Sequence, residues 1–236
     1  MIRGGWHCRA AQKRGCIMSK LFANAQDPVS CGTHAIGAAA AFAGGVLFFL
    51  RALRTGATVP ALAAAMCFAV SMLALYSASA VYHYYPGDVT SGGVKRRLRK
   101  MDHSMIYVLI AGSYTPFSVV LLPQPLGTRF CLTLWGVAIA GVLLKLLWIN
   151  APRILSTSVY LIMGWAIVFV AKDFAAIGQP CLTLVALGGI CYSVGAVFYA
   201  VKKPNISAEW TFHELFHLLI LAGSLFHYLA VYFYVL

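Results

Sequence analysis

Acidic side chains are scarce in this chain: six Asp and Glu stand against eighteen Lys and Arg, and charged residues of both signs make up only 10%. So little charge leaves no soluble exterior for a separate water-exposed domain. Also missing are a glycine-rich phosphate loop, a Walker motif and a dinucleotide fingerprint in a suitable context, which argues against nucleotide chemistry. The seven cysteines show no metal-binding or disulfide spacing, and Cys67, Cys131 and Cys191 lie inside apolar runs, where they read as small core hydrophobes. The first twenty residues hold Arg and Lys but no apolar stretch, so they do not form a secretory signal peptide. Residues 1–26 are expected to be a basic cytoplasmic tail without fixed structure, of which 1–17 could be an upstream extension ahead of Met18. Residues 27–236 are expected to form a single membrane domain.

What the chain does have is apolar residues, 61% of the total. A bilayer core needs about 20 predominantly apolar residues per spanning helix, and seven such stretches occur, near 31–50, 59–84, 102–122, 129–149, 155–171, 181–201 and 210–235. Transmembrane strands would alternate apolar and polar positions, whereas these runs are apolar throughout. The expected fold is therefore an all-α integral membrane protein, a seven-transmembrane-helix bundle. Basic residues collect at the cytoplasmic ends of spanning helices. With the N-terminus cytoplasmic, only Arg51, Arg54, Arg129 and Lys172 fall on the outer side, and the C-terminus lies outside. The run Lys95-Arg96-Arg97-Leu98-Arg99-Lys100 then reads as a topology anchor against anionic lipid rather than a nucleic-acid patch.

Ionisable groups inside spanning segments are costly and tend to face a cavity or a partner. Helix two ends in Ser79-Ala80-Val81-Tyr82-His83, which sets Ser79 and His83 four residues apart on one face near the cytoplasm. Helix three starts from the same side with Asp102-His103, and helix seven with His213-Glu214-Leu215-Phe216-His217. Three helices thus bring three imidazoles, a carboxylate and a hydroxyl to one membrane depth. An i, i+4 histidine pair aims two imidazoles the same way, and zinc with three protein ligands and one open position is the favoured ion. His83, His213 and His217 are the expected ligands. Asp102 is either a fourth ligand or, preferably, the carboxylate that orients or deprotonates water at the metal, and Ser79 supports it by hydrogen bonding. The simpler alternative is that each histidine only hydrogen-bonds across the bundle.

His213-Glu214-x-x-His217 also fits the short zincin pattern, but no Asp or Glu follows Glu214, and the next histidine, His227, lies ten residues after His217. Glu214 points about 100° away from the histidine face and is expected to serve as a helix-start charge. His34 is expected either at the site entrance or in a local cap, while His103 and His227 are expected to make structural hydrogen bonds. Pro116 should kink helix three, with Ser113 and Thr115 serving the freed carbonyls.

These pieces together resemble the haemolysin III family, the mainly bacterial branch of the progestin and adipoQ receptor group, in a superfamily that includes alkaline ceramidases. The matching residues are Asp27-Pro28-Val29-Ser30 with Thr33-His34, Ser79 through His83, Asp102-His103 with Ile110 through Pro116, His213 through His217, and Gly223 through His227. The resemblance implies a seven-helix bundle with a cytoplasmic N-terminus. It implies zinc on the residues matching His83, His213 and His217, with Asp102 and Ser79 beside it, and a lipid amide as the substrate class. The expected activity is a zinc-dependent hydrolase of a lipid amide or ester near the cytoplasmic leaflet of the plasma membrane. Its alternatives are a non-enzymatic receptor or homeostasis protein with structural zinc, and a cytolytic pore. Membrane lipids are the expected partners, and nucleic acid is not one.

Overall fold

The computed structural model describes residues 17–89, 93–148, 152–175 and 177–236. They form nine α-helices: α1 (Ile17–Leu21), α2 (Pro28–Thr55), α3 (Val59–Tyr84), α4 (Val94–Pro116), α5 (Leu126–Leu147), α6 (Arg153–Gly164), α7 (Ala171–Ala175), α8 (Gln179–Val201) and α9 (Phe212–Tyr234). A π-helical turn, Phe117–Leu121, continues α4, and a 3-10 turn, Ala166–Val170, joins α6 to α7. No strand occurs among the described residues. Seven helical segments are long and apolar enough to cross a membrane, the fifth running from Ile154 to Phe174 across the α6 break. The chain is a multi-pass membrane protein. Large apolar side chains such as Phe49, Leu53, Leu132, Ile139 and Phe169 cover the outside of the bundle, as a lipid-facing surface requires.

Local chemistry sets the helix ends. Pro28 starts α2, where its missing N–H loses nothing, and Gly56, at φ 68°, closes that helix in the left-handed conformation. Thr211 and Glu214 form a reciprocal capping box at the start of α9. Inside the bundle, Phe48, Phe68, Tyr76 and Phe117 are buried between α2, α3 and α4, and Val231 of α9 completes that core. Helix α9 packs on both α8 and α2, which closes the ring. The α8–α9 approach is close because Gly188 and Gly223 face each other: a Cβ on either would meet the other's carbonyl at 3.0 Å.

Three boundaries differ from the expectations. The basic run is not a loop but the first turns of α4, and Lys95 is buried, 3% exposed, rather than facing lipid headgroups. Its Nζ donates to the carbonyls of Tyr82, at 2.5 Å, and Tyr85, at 2.7 Å, and lies 4.3 Å from the centre of the Tyr82 ring. Lysine's flexible stem reaches the unsatisfied C-terminal carbonyls of α3, where positive charge is favoured. The fifth span breaks after Gly164, where the Tyr114 hydroxyl donates to the Gly164 carbonyl at 2.5 Å and accepts the Ile167 N–H at 3.2 Å. A neighbouring helix thus supplies the partners that irregular backbone needs at membrane depth. Beyond Pro116 the fourth element widens into a π turn instead of simply kinking, while Ser113 and Thr115 donate to the carbonyls of Ile110 and Ala111.

The N-terminal tail is expected without fixed structure, and its residues 1–16 lie outside those described. Residues 17–26 are folded: Met18 and Phe22 pack over Gly32, and the Gln26 and Asp27 N–H groups donate to the carbonyls of Tyr84 and His83. That lattice seats the start of α2 against the end of α3.

Candidate metal centre

The last turn of α3 carries His83, and the first turns of α9 carry His213 and His217. The meeting of these two helix ends brings the three imidazoles together, with one nitrogen from each lying within 4.8 Å of the others. The ring centres are 5.0 Å apart for His83–His213 and for His83–His217, and 4.7 Å apart for His213–His217. His83 and His217 are only 3% and 2% exposed. His213 is partly exposed, so the cluster is closed on two sides and open on the third.

Tautomers follow from the partners. The Asp27 carboxylate lies 3.0 Å from His83 Nδ1 and can only accept, so Nδ1 carries the hydrogen and Nε2 is bare. That bare Nε2 faces His213 Nε2 at 3.2 Å. Two ligands of a tetrahedral ion with bonds of 2.0–2.1 Å stand about 3.3 Å apart. A carboxylate fixing the far nitrogen of a ligating histidine is a recurrent support of such sites. The donor set, and the His83–His213 separation within it, fit a metal ion that imidazole binds.

Of the remaining expected site residues, Ser79 and Asp102 line the cavity that opens beside the cluster, and so do His34 and His103. Ser79 is 1% exposed, and its Oγ has no partner among the described residues. A buried hydroxyl of this kind is costly unless something in the cavity meets it. Asp102 Oδ2 lies 3.5 Å from His103 Nδ1, a contact that leaves the carboxylate available to the cavity. His103 acts as expected: Nδ1 donates to the Arg99 carbonyl at 2.9 Å, and Nε2 meets the Tyr199 hydroxyl at 3.3 Å. His227 also behaves as expected, with Nε2 donating to the Val185 carbonyl at 3.1 Å.

His34 neither caps a helix nor bonds locally. Its ring stacks on His217 with centres 3.7 Å apart and planes 12° from parallel, and both of its nitrogens are buried without a partner. Glu214 is occupied by architecture: it accepts from the Thr211 backbone at 3.0 Å and from the Ser30 hydroxyl at 2.9 Å. It ties α9 to α2 and does not reach toward the imidazoles as a zincin base would. Sequence reasoning missed Asp27. It stands just ahead of the proline that opens α2, and only the fold reveals that this turn abuts the end of α3.

The cavity has a volume of about 390 Å³ and extends from the histidine cluster past Ile110, Phe117, Leu182 and Ile190 to His227. The 3-10 stretch after α6 forms part of its wall: Trp165 and Val168 line it yet are 50% and 60% exposed, so the cavity reaches the lipid-facing surface there. Trp165 Nε1 donates to Ser193 Oγ of α8 at 2.9 Å, a polar contact across that wall.

Fold and site together define a class: a seven-helix membrane protein with a three-histidine cluster, two of whose members line a largely apolar cavity. Residues 22–228 match the family described as haemolysin-III related, and the chain belongs to that family. The chain is 35% identical to hemolysin-3 of Bacillus cereus over 86% of its own length and 89% of that protein. It is 39% identical to a hemolysin-3 homolog of Bacillus subtilis (strain 168) over 71% of its length and 75% of the relative. A more distant likeness, 25% identity over 72% of the chain and 69% of the relative, links it to the human monocyte to macrophage differentiation factor.

Proposed function

We propose that this protein is a zinc-dependent membrane hydrolase acting on an amide or ester bond of a lipid at the cytoplasmic leaflet of the plasma membrane. The observation that carries the reading is a cluster of three convergent imidazoles, two of which, His213 and His217, line a largely apolar cavity that reaches the lipid-facing surface. His83, His213 and His217 would hold the ion, and Asp27 fixes His83 in the tautomer that leaves Nε2 free. When bound, zinc polarises a carbonyl and acidifies water.

The chain's own groups supply the rest. Asp102, on the cavity wall, accepts the proton of the attacking water and returns it to the leaving group. The Ser79 hydroxyl, buried and unpartnered on a residue that lines the same cavity, hydrogen-bonds to the water or to the Asp102 carboxylate. The apolar walls hold the acyl chain and keep bulk water from the bond being cut. Entry from the bilayer passes beside Trp165 and Val168, where the wall is interrupted by the broken helix.

A second reading is a receptor in which the ion is a structural cross-link, since the cluster staples the end of α3 to the start of α9. Metal analysis of detergent-purified wild type and His217→Ala comes first, with about one zinc per chain expected in the former and none in the latter. Hydrolysis of lipid amides by wild type and its loss in Asp102→Asn with zinc retained support the enzyme. Zinc without turnover across amide and ester lipids favours the receptor, and folded protein free of metal overturns both.

A further inference from the structure

His34 stands on the second turn of α2, buried to 2% exposure. It makes no ion pair with an acid among the described residues, and burial without such a partner holds an imidazole neutral. Neither of its nitrogens has a hydrogen-bond partner among those residues, and the nitrogens that converge on one point belong to His83, His213 and His217. What His34 presents to the cluster is therefore the face of its ring. That face lies on His217, with centres 3.7 Å apart and planes 12° from parallel.

This is a poor arrangement for two neutral rings. Aromatic rings settle edge-on or offset, with centres about 4.5–7 Å apart, because each face is negative and a close parallel sandwich sets one negative face against another. Tyr76 meets the same His34 ring in the ordinary way, at 5.1 Å and 65°. The sandwich with His217 becomes favourable once one ring loses electron density, since positive charge over a ring face is attracted to it. An ion ligated by His217 has that effect. The packing keeps His34 in place: the Tyr76 hydroxyl donates to Ser224 Oγ of α9 at 2.6 Å, and α2 runs so close to α9 at Gly37 that a Cβ there would fall 2.6 Å from Leu221.

We propose that His34 is a positioning residue for the metal: its neutral ring face orients the His217 imidazole and stabilises the positive charge that a divalent ion induces there, so that stack and ion strengthen each other. The proposal rests on the reading of the three-histidine cluster as a metal centre. It adds a fourth histidine that acts through its ring and not through a nitrogen.

The test uses the full, detergent-purified chain as wild type, His34→Phe and His34→Leu. Zinc affinity is read by competition with a chromophoric chelator, and the rise in thermal unfolding midpoint on adding zinc is read beside it. Phenylalanine keeps a ring face without nitrogens, whereas leucine fills the space with neither. His34→Phe is expected to bind zinc as wild type does. His34→Leu is expected to bind about tenfold more weakly, the scale of a lost support beside a metal ligand, with a smaller rise in midpoint. A role in packing alone would lower the midpoint with and without zinc alike and leave the rise unchanged. Wild-type affinity in His34→Leu overturns the proposal, and so does an equal loss in both variants, which would make His34 a ligand through nitrogen. Should a variant not fold, zinc-loaded wild type with labelled histidines decides: a nuclear Overhauser contact between the His34 and His217 ring protons is expected, and its absence overturns the stack. Wild type that binds no divalent ion overturns the metal centre itself, an outcome distinct from equal binding by all three proteins.

Discussion

The Asp27 carboxylate and the His83 imidazole, fifty-six residues apart in sequence, meet at 3.0 Å and lock the ring so that its free nitrogen faces His213. The same turn is tied by its backbone, since the Asp27 N–H donates to the His83 carbonyl. Replacing Asp27 with Asn keeps the shape but weakens the hold on the tautomer. Metal affinity is expected to fall about 10- to 100-fold, as read by competition with a chelator, with the fold retained.

The same contact has a pH signature. Partial burial pushes the Asp27 carboxyl up, but the His83 hydrogen bond and the neighbouring charges of His83, Lys95 and His213 outweigh it, and the group titrates below its ordinary 3.8. A depressed folded value means that the contact stabilises the protein above the unfolded value and ceases to do so as pH falls through the lower one. Thermal unfolding in detergent should therefore steepen below about pH 3.8 in wild type. Asp27→Asn should lack that limb, and identical acid profiles would remove the carboxylate from the account.

Lys95 is expected to matter more than any other residue of the basic run. Lys95→Met removes two charged hydrogen bonds to the end of α3 and should destabilise the protein by about 1.5–3 kcal/mol. Arg96→Met, at an exposed position of the same run, should stay within about 0.5 kcal/mol. Comparing the two unfolding midpoints checks this, and equal effects would return Lys95 to a headgroup anchor.

Glu214 distinguishes the site from a zincin. Glu214→Gln can still complete a capping box but cannot act as a base. Zinc content and any lipid-amide turnover should survive it, whereas Glu214→Ala should lower stability by about 1 kcal/mol through the lost cap. Abolished turnover in Glu214→Gln with zinc intact would place the base on Glu214 instead of Asp102.

Much of this architecture is readable along the chain. Runs of apolar residues of spanning length define the seven segments, because a bilayer forces each backbone to satisfy its own hydrogen bonds within a helix. His213 and His217 are legible as a pair because helical periodicity alone puts positions i and i+4 on one face. His83 joins them in the reading because alternation of direction sends the end of the second span and the start of the seventh to the same membrane depth.

Other features have no local signal. Periodicity cannot show that Lys95 turns inward, since that depends on carbonyls of another helix. Nor can it show that Gly164 breaks the fifth span, which Tyr114 of α4 makes tolerable. The pairing of Asp27 with His83 and the stacking of His34 on His217 both depend on which helix ends abut. Sequence determined the spans and the ligand types, because these follow from the solvent and the helical repeat. Only tertiary packing decided which polar atoms were partnered and which were buried without a partner, because a buried group's partner comes from a neighbouring helix.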